Sequence, residues 1–136
     1  MDKPRRFRLT LGGLLALVAL IAVGLTFLRP AATRIVDIKV GTGATVKPGD
    51  TVVVHYVGKL GDGKMFDSSK SRGPFEVTGA KGMVIKGWDV GLVGMRGGGV
   101  RRLIIPPEEA YGEKGVPPVI PPNATLYFEV ELLKVR

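Results

Sequence analysis

The chain has 136 residues, no cysteine, and 20 Lys and Arg against 12 Asp and Glu, a net charge of +8. That length accommodates one domain with an appendage but not two separate cores, and the lack of cysteine excludes disulfides, thiol nucleophiles and Cys-ligated metal. Residues 1–30 carry five positive charges and one negative, and the other +4 is spread without a dense run; a diffuse excess of this kind is a solubilising surface, so no nucleic-acid partner is expected.

Residues 1–8 form a basic head with Lys3, Arg5, Arg6 and Arg8, and Leu9 to Leu28 follow without a single charge. At 1.5 Å of rise per residue, a helix over 9–28 reaches about 30 Å, the hydrocarbon thickness of a bilayer. A helix apolar on every face would need a larger core than the rest of the chain can supply. The reading is therefore a transmembrane anchor, with membrane attachment through 9–28. Basic residues ahead of the span put the N-terminus on the cytoplasmic side. A cleaved signal is the alternative, with Ala22-Val23-Gly24 a weak small-x-small match that lies inside the apolar run. Residues 29–33 are a linker that Pro30 opens, and 34–136 form the folded domain.

In that domain, Gly and Pro punctuate an apolar pattern that mostly has period two. Thr51 to Leu60 puts Val52, Val54, Tyr56, Gly58 and Leu60 on one face and Val53, His55, Val57 and Lys59 on the other, a half-buried strand. Asp62-Gly63 is a hairpin-turn signal, because glycine accepts the positive φ that tight hairpins need. Phe75 to Thr78 and Arg101 to Ile105 are shorter strands. One helix is predicted, Gly87 to Met95, with Val90, Leu92, Val93 and Trp88 aimed inward. Gly97-Gly98-Gly99 is a turn. Ala124 to Arg136 alternates again, with Leu126, Phe128, Val130 and Leu132 toward the core. The predicted class is α+β, an antiparallel sheet of five to six strands wrapped around one short helix.

Nucleophilic and metal chemistry find no support. The single histidine, His55, points away from the face of Tyr56, no recognised motif supplies it with a Ser or Asp partner, and no metal-ligand set is present. Gly94 to Gly99 lacks the Gly-Lys-Ser/Thr of a phosphate loop. Glu108 and Glu109 are adjacent, so their side chains diverge, and they suit a helix start or turn after Pro106-Pro107. No cofactor is expected.

One constellation remains: Tyr56, Phe66-Asp67-Ser68-Ser69, Phe75, Val84-Ile85-Lys86-Gly87-Trp88, Ala110-Tyr111-Gly112, Ile120-Pro121-Pro122 and Phe128. In order and nearly in spacing it resembles the FKBP-type peptidyl-prolyl isomerases over residues 34 to 136. The resemblance implies an FKBP-like fold and a proline pocket with Trp88 as its floor and Tyr56, Phe66, Phe75, Val84, Ile85, Tyr111, Ile120 and Phe128 as walls. It further implies that the Tyr111 hydroxyl and the Ile85 backbone N–H donate to ligand carbonyls. Asp67 would point toward the reacting bond, oriented by Tyr56 or Arg72. Asp67, Tyr111, Trp88 and Ile85 are the catalytic candidates. Proline-containing unfolded or loop polypeptides are the implied partners, with macrolides as a further ligand class.

Such a pocket performs a chemistry that needs no proton transfer. An Xaa-Pro bond owes its rotational barrier of about 18–20 kcal/mol to charge-separated resonance. Removing water disfavours the polar planar form, and rigid aromatic walls suit both desolvation and the flat pyrrolidine ring. Three features depart from many family members: Val116-Pro117-Pro118 after Gly115 where His-Pro-Gly is common, Met83 where an acidic residue or Gln precedes the Val-Ile pair, and a Lys70 to Pro74 loop one residue shorter. The sequence taken alone is thus read as a membrane-anchored prolyl isomerase of a bacterial inner membrane, its domain extracytoplasmic and its clients exported proteins. The alternative localisation is secretion after signal cleavage, and the alternative function is a non-catalytic chaperone or docking module for proline-containing chains.

Overall fold

A computed structural model describes residues 31–79 and 81–136. Six strands form one antiparallel sheet: β1 (Arg34–Lys39), β2 (Thr51–Lys59), β3 (Met65–Ser68), β4 (Phe75–Thr78), β5 (Val100–Ile105) and β6 (Leu126–Val135). Their order is β1-β5-β6-β2-β3, and β4 also pairs with β2. Thus β2 is shared: its first half faces Phe75–Thr78 and its second half Met65–Ser68. One helix, α1 (Lys86–Gly91), packs on the inner face, and a 3-10 turn covers Pro107–Glu109.

Alternation decides which face is inner. Val52, Val54 and Tyr56 of β2 and Leu126, Phe128, Val130 and Leu132 of β6 are buried, and they join Leu103, Ile105 and Trp88 in one core. The register pairs Tyr56 with Val130 and Gly58 with Phe128, which aligns the two apolar rows. The sheet around one short helix and the inward faces of β2 and β6 follow the expectation from the sequence. The hairpin also forms where Asp62-Gly63 predicts it, with Gly63 at φ 87° and the Asp62 carboxylate accepting the Lys64 N–H at 2.9 Å.

Three elements differ. The helix ends at Gly91, well short of Met95, and Val90 is exposed while Trp88 and Leu92 are buried. The reason is glycine: a Cβ on Gly87 would lie 2.5 Å from Ile105 Cγ2, and one on Gly91 2.7 Å from Leu103 Cδ2. Those two bare positions, four apart on one face, let the helix lie directly on β5, and Val90, on the flank of that face, stays exposed. The strand β1 is an addition: all six of its residues are exposed at the sheet edge, so burial imprints no alternation on its sequence. Finally, His55 faces outward as expected but does have a serine partner, its Nδ1 lying 2.9 Å from Ser69 Oγ. Fourteen residues separate the two, so no local motif announces the pair.

Arg101 ties the helix to the sheet. Its Nε donates to Asp37 Oδ1 at 2.8 Å, and its Nη1 donates to the Gly91 carbonyl at 2.8 Å and the Val93 carbonyl at 2.9 Å. The helix end, where backbone acceptors lack partners, is thereby capped by a cation from β5. Glu109 of the 3-10 turn accepts from the backbone N–H and hydroxyl of Thr33, both at 3.2 Å. The uncharged span 9–28, read above as an anchor, lies outside the described residues.

Candidate functional site

A pocket of about 160 Å³ opens on the inner face, lined by Tyr56, Phe66, Asp67, Phe75, Met83, Val84, Ile85, Trp88, Tyr111 and Phe128. Trp88 lies at the centre of its aromatic wall. It is 4% exposed, and its ring meets Tyr56 at 5.1 Å, Phe128 at 5.3 Å and Phe75 at 6.3 Å between centroids, all edge to face. Phe66 continues the set against Phe128 at 5.5 Å. Edge-to-face contacts present the positive ring edge to the negative ring face, which fixes each ring's angle as well as its place. Gly58 makes room for two of them, since a Cβ there would sit 2.7 Å from Phe66 and 2.8 Å from Phe128.

The polar corner is built by strand pairing. Because Asp67 of β3 stands opposite Gly58 of β2 on the inner face, its carboxylate comes within reach of Tyr56, two residues earlier. The Tyr56 hydroxyl donates to Asp67 Oδ2 at 2.7 Å, and Arg72 Nη2 donates to Asp67 Oδ1 at 2.7 Å and to the Tyr56 oxygen at 2.9 Å. The Ser68 N–H adds a further bond to Oδ1 at 2.8 Å. Ser69 holds the backbone behind: its buried hydroxyl accepts the Tyr56 N–H at 2.8 Å, and its own N–H donates to the Tyr56 carbonyl at 3.0 Å. Tyr56 is therefore pinned at both ends.

Burial pushes the Tyr56 phenol up to about 12 from its ordinary 10.0, the Asp67 hydrogen bond and charge act in the same direction, and Arg72 opposes them. The phenol ionises more easily in the unfolded chain, so the stability it contributes is complete below pH 10 and is lost as pH rises toward 12. Denaturant titrations across that interval should show Tyr56→Phe losing less stability per pH unit than the parent protein. Equal slopes would mean that the phenol is not held as described.

Of the residues named from the sequence, nine line this pocket and Ile120 does not; it is buried in the core. The Val116 N–H donates to the Ile120 carbonyl at 2.8 Å and turns the loop back on itself. Ile85 precedes α1 and its carbonyl accepts the Trp88 N–H at 3.0 Å, so the helix start sets the pocket's back wall. Tyr111 stands half exposed at the mouth, with no hydrogen bond to its hydroxyl among the described residues. Met83 belongs to the lining as well, although the sequence marked it only as a departure from the family pattern. A larger concavity, about 590 Å³, lies on the other face of the sheet between residues such as His55, Arg102, Tyr127 and Glu131. Its polar groups lie on the outward sides of β2, β5 and β6 and at Lys70, whereas the smaller pocket gathers the aromatic rings around the Asp67 corner, so the smaller pocket is the candidate site.

Aromatic floor, carboxylate corner and free phenol agree with what comparison with known proteins finds. Residues 42–133 match the model of the FKBP-type peptidyl-prolyl cis-trans isomerases. The chain belongs to this family. FK506-binding protein 1 of Debaryomyces hansenii is 52% identical over 109 residues, which cover 79% of this chain and 97% of the relative. FK506-binding protein 1A of Emericella nidulans is 58% identical over 91 residues, 66% of this chain and 84% of the relative. FK506-binding protein 4 of Chaetomium thermophilum is 54% identical over 100 residues, 74% of this chain but only 20% of the relative, so the FKBP match spans about a fifth of that longer protein.

These FKBP relatives are fungal, and that overturns the localisation read from the sequence. A bacterial inner-membrane protein with an extracytoplasmic domain, or a secreted form of it, is not upheld. A basic head before an apolar run carries information about orientation in a bilayer and none about the kind of organism. Among the described residues no helix is long and apolar enough to cross a membrane. Nor do the described residues contain a cluster of groups suited to a metal ion.

Proposed function

We infer that this chain accelerates rotation about Xaa-Pro bonds, with residues 34–136 as the catalytic domain and the prolyl ring seated on Trp88. The observation that carries the reading is the Asp67–Tyr56–Arg72 network at the edge of an aromatic pocket in a chain of this family. A volume of about 160 Å³ falls below the ~300–1,000 Å³ of pockets that enclose a drug-sized ligand. It suits one ring inserted from a longer chain whose flanks stay outside.

The chemistry follows from what surrounds that ring. Trp88, Phe128 and Phe75 exclude water from the imide, so the charge-separated planar form loses solvation that the twisted form needs less. Rigid walls accept the twisted geometry without reorganising, which is selective binding of the transition state. The Tyr111 hydroxyl donates to a substrate carbonyl at the mouth and holds the chain while the bond turns. Asp67, fixed by three donors, places a negative potential beside the rotating group. FK506, for which the relatives are named, is proposed to occupy the same pocket.

The test is an isomerisation assay with the full chain on a short proline peptide. The parent should accelerate cis-trans exchange. Asp67→Ala and Tyr111→Phe should each lower kcat/KM about tenfold, the worth of one net hydrogen bond, with unchanged circular dichroism. Two variants as fast as the parent would refute the roles given to these groups. Saturable peptide binding without acceleration would make the pocket a docking site.

A further inference from the structure

We propose that Met83 is an oxidisable element of the pocket rim, and that its conversion to the sulfoxide weakens binding of proline-containing chains. The inference rests on the reading of this pocket as a proline site. The chain has no cysteine and four methionines, so thioethers are its only reducible sulfur after oxidation. Three lie among the described residues, and they differ sharply. Met95 is 3% exposed in the core, Met65 is 57% exposed on β3, and Met83 is 62% exposed. Only Met83 lines the pocket. Solvent oxidants therefore reach two of these sulfurs, and one of the two borders the site.

Position gives the modification its effect. Met83 precedes Val84 and Ile85, which form the wall beside Trp88, and an unbranched thioether adapts its shape to whatever apolar group flanks the proline. Oxidation keeps the length of the side chain and replaces an apolar sulfur by a strong dipole. Seating an apolar flank against that dipole strips it of water without a replacement donor, which disfavours the complex. The step is balanced with hydrogen peroxide as oxidant: a sulfur lone pair takes one oxygen as the O–O bond breaks, and water leaves with both protons. Methionine sulfoxide reductases with a dithiol donor return the two electrons and release the oxygen as water. Met65 undergoes the same chemistry on the far side of the β2–β3 pair and serves as the internal control.

The experiment treats the full chain with graded peroxide, measures the sulfoxide fraction at each methionine by peptide mass spectrometry, and follows kcat/KM on a peptide with Leu before proline. As Met83 approaches full oxidation, kcat/KM should fall about fivefold, and reductase treatment should restore it. Met65→Leu should respond to peroxide as the parent does. Met83→Leu, compared with its own untreated sample, should not respond. A Met83→Leu protein that loses activity as the parent does, or a parent fully oxidised at Met83 with unchanged kcat/KM, would overturn the proposal. Should the untreated protein fail to isomerise peptide, the catalytic reading falls, and the same titration is read through FK506 affinity. An unaltered affinity after oxidation then overturns the inference by itself.

Discussion

Trp88→Ala should cost about 3–5 kcal/mol of stability, the range for truncating a buried large aromatic, and for a domain of this size should lower Tm by at least about 12 °C. The indole is 4% exposed and touches three other rings, and the neighbours cannot close over its absence. Gly87 and Gly91 already bring α1 into contact with Ile105 and Leu103, which leaves the helix no room to sink inward. The void therefore stays, and the pocket loses its floor along with the core. Trp88→Phe should retain a ring and lose far less. Denaturant unfolding followed by circular dichroism measures both, and an Ala variant within 1 kcal/mol of the parent would show that the indole is not packed as described.

The second large effect lies away from the pocket. Arg101→Leu should destabilise by about 3 kcal/mol, because its removal leaves the Gly91 and Val93 carbonyls without their donor and Asp37 without its ion pair. The Arg101 side chain is 9% exposed and that of Asp37 is 45% exposed. Asp37 can regain water, so the value sits at the low end of the range for broken buried pairs. For the same reason Asp37→Asn should cost about 1 kcal/mol or less. If the two substitutions cost the same, the stabilisation resides in the ion pair and not in the capped carbonyls. Since these bonds hold the helix that carries Trp88, Arg101→Leu should also weaken ligand binding.

What the sequence made legible was whatever repeats with a short period or sits in a local turn. The alternation of Thr51 to Leu60 and of Ala124 to Arg136 announced two central strands, because one face of each is buried and the other is wet. Asp62-Gly63 announced the hairpin between β2 and β3. Along β1 the signal vanished, since an edge strand exposed on all six residues has no reason to alternate. The helix was overextended because Val90, Leu92 and Val93 imitate an inward stripe, whereas the close approach of Gly87 and Gly91 to β5 sets the orientation. Side-chain partners across the fold were the hardest to foresee. Arg101 with Gly91 and His55 with Ser69 both depend on which strands become neighbours. The site was approached through the family resemblance, which named Tyr56 or Arg72 as the group orienting Asp67 but not the Ser68 and Ser69 bonds that fix the corner behind them. Ile120, named as a wall, is buried in the core and not in the lining, and Met83 occupies a place that the family pattern gives to a polar group.

The account stands or falls on one pocket serving ligand binding and catalysis together. Trp88 is the only tryptophan in the chain, so its emission reports that pocket alone. FK506 titrated into the full chain should change the emission saturably with one site per domain, and isomerisation of a proline peptide should disappear along the same curve, because ligand and substrate compete for the indole floor. Saturable inhibition with no change in Trp88 emission would place the ligand elsewhere and contradict the assignment.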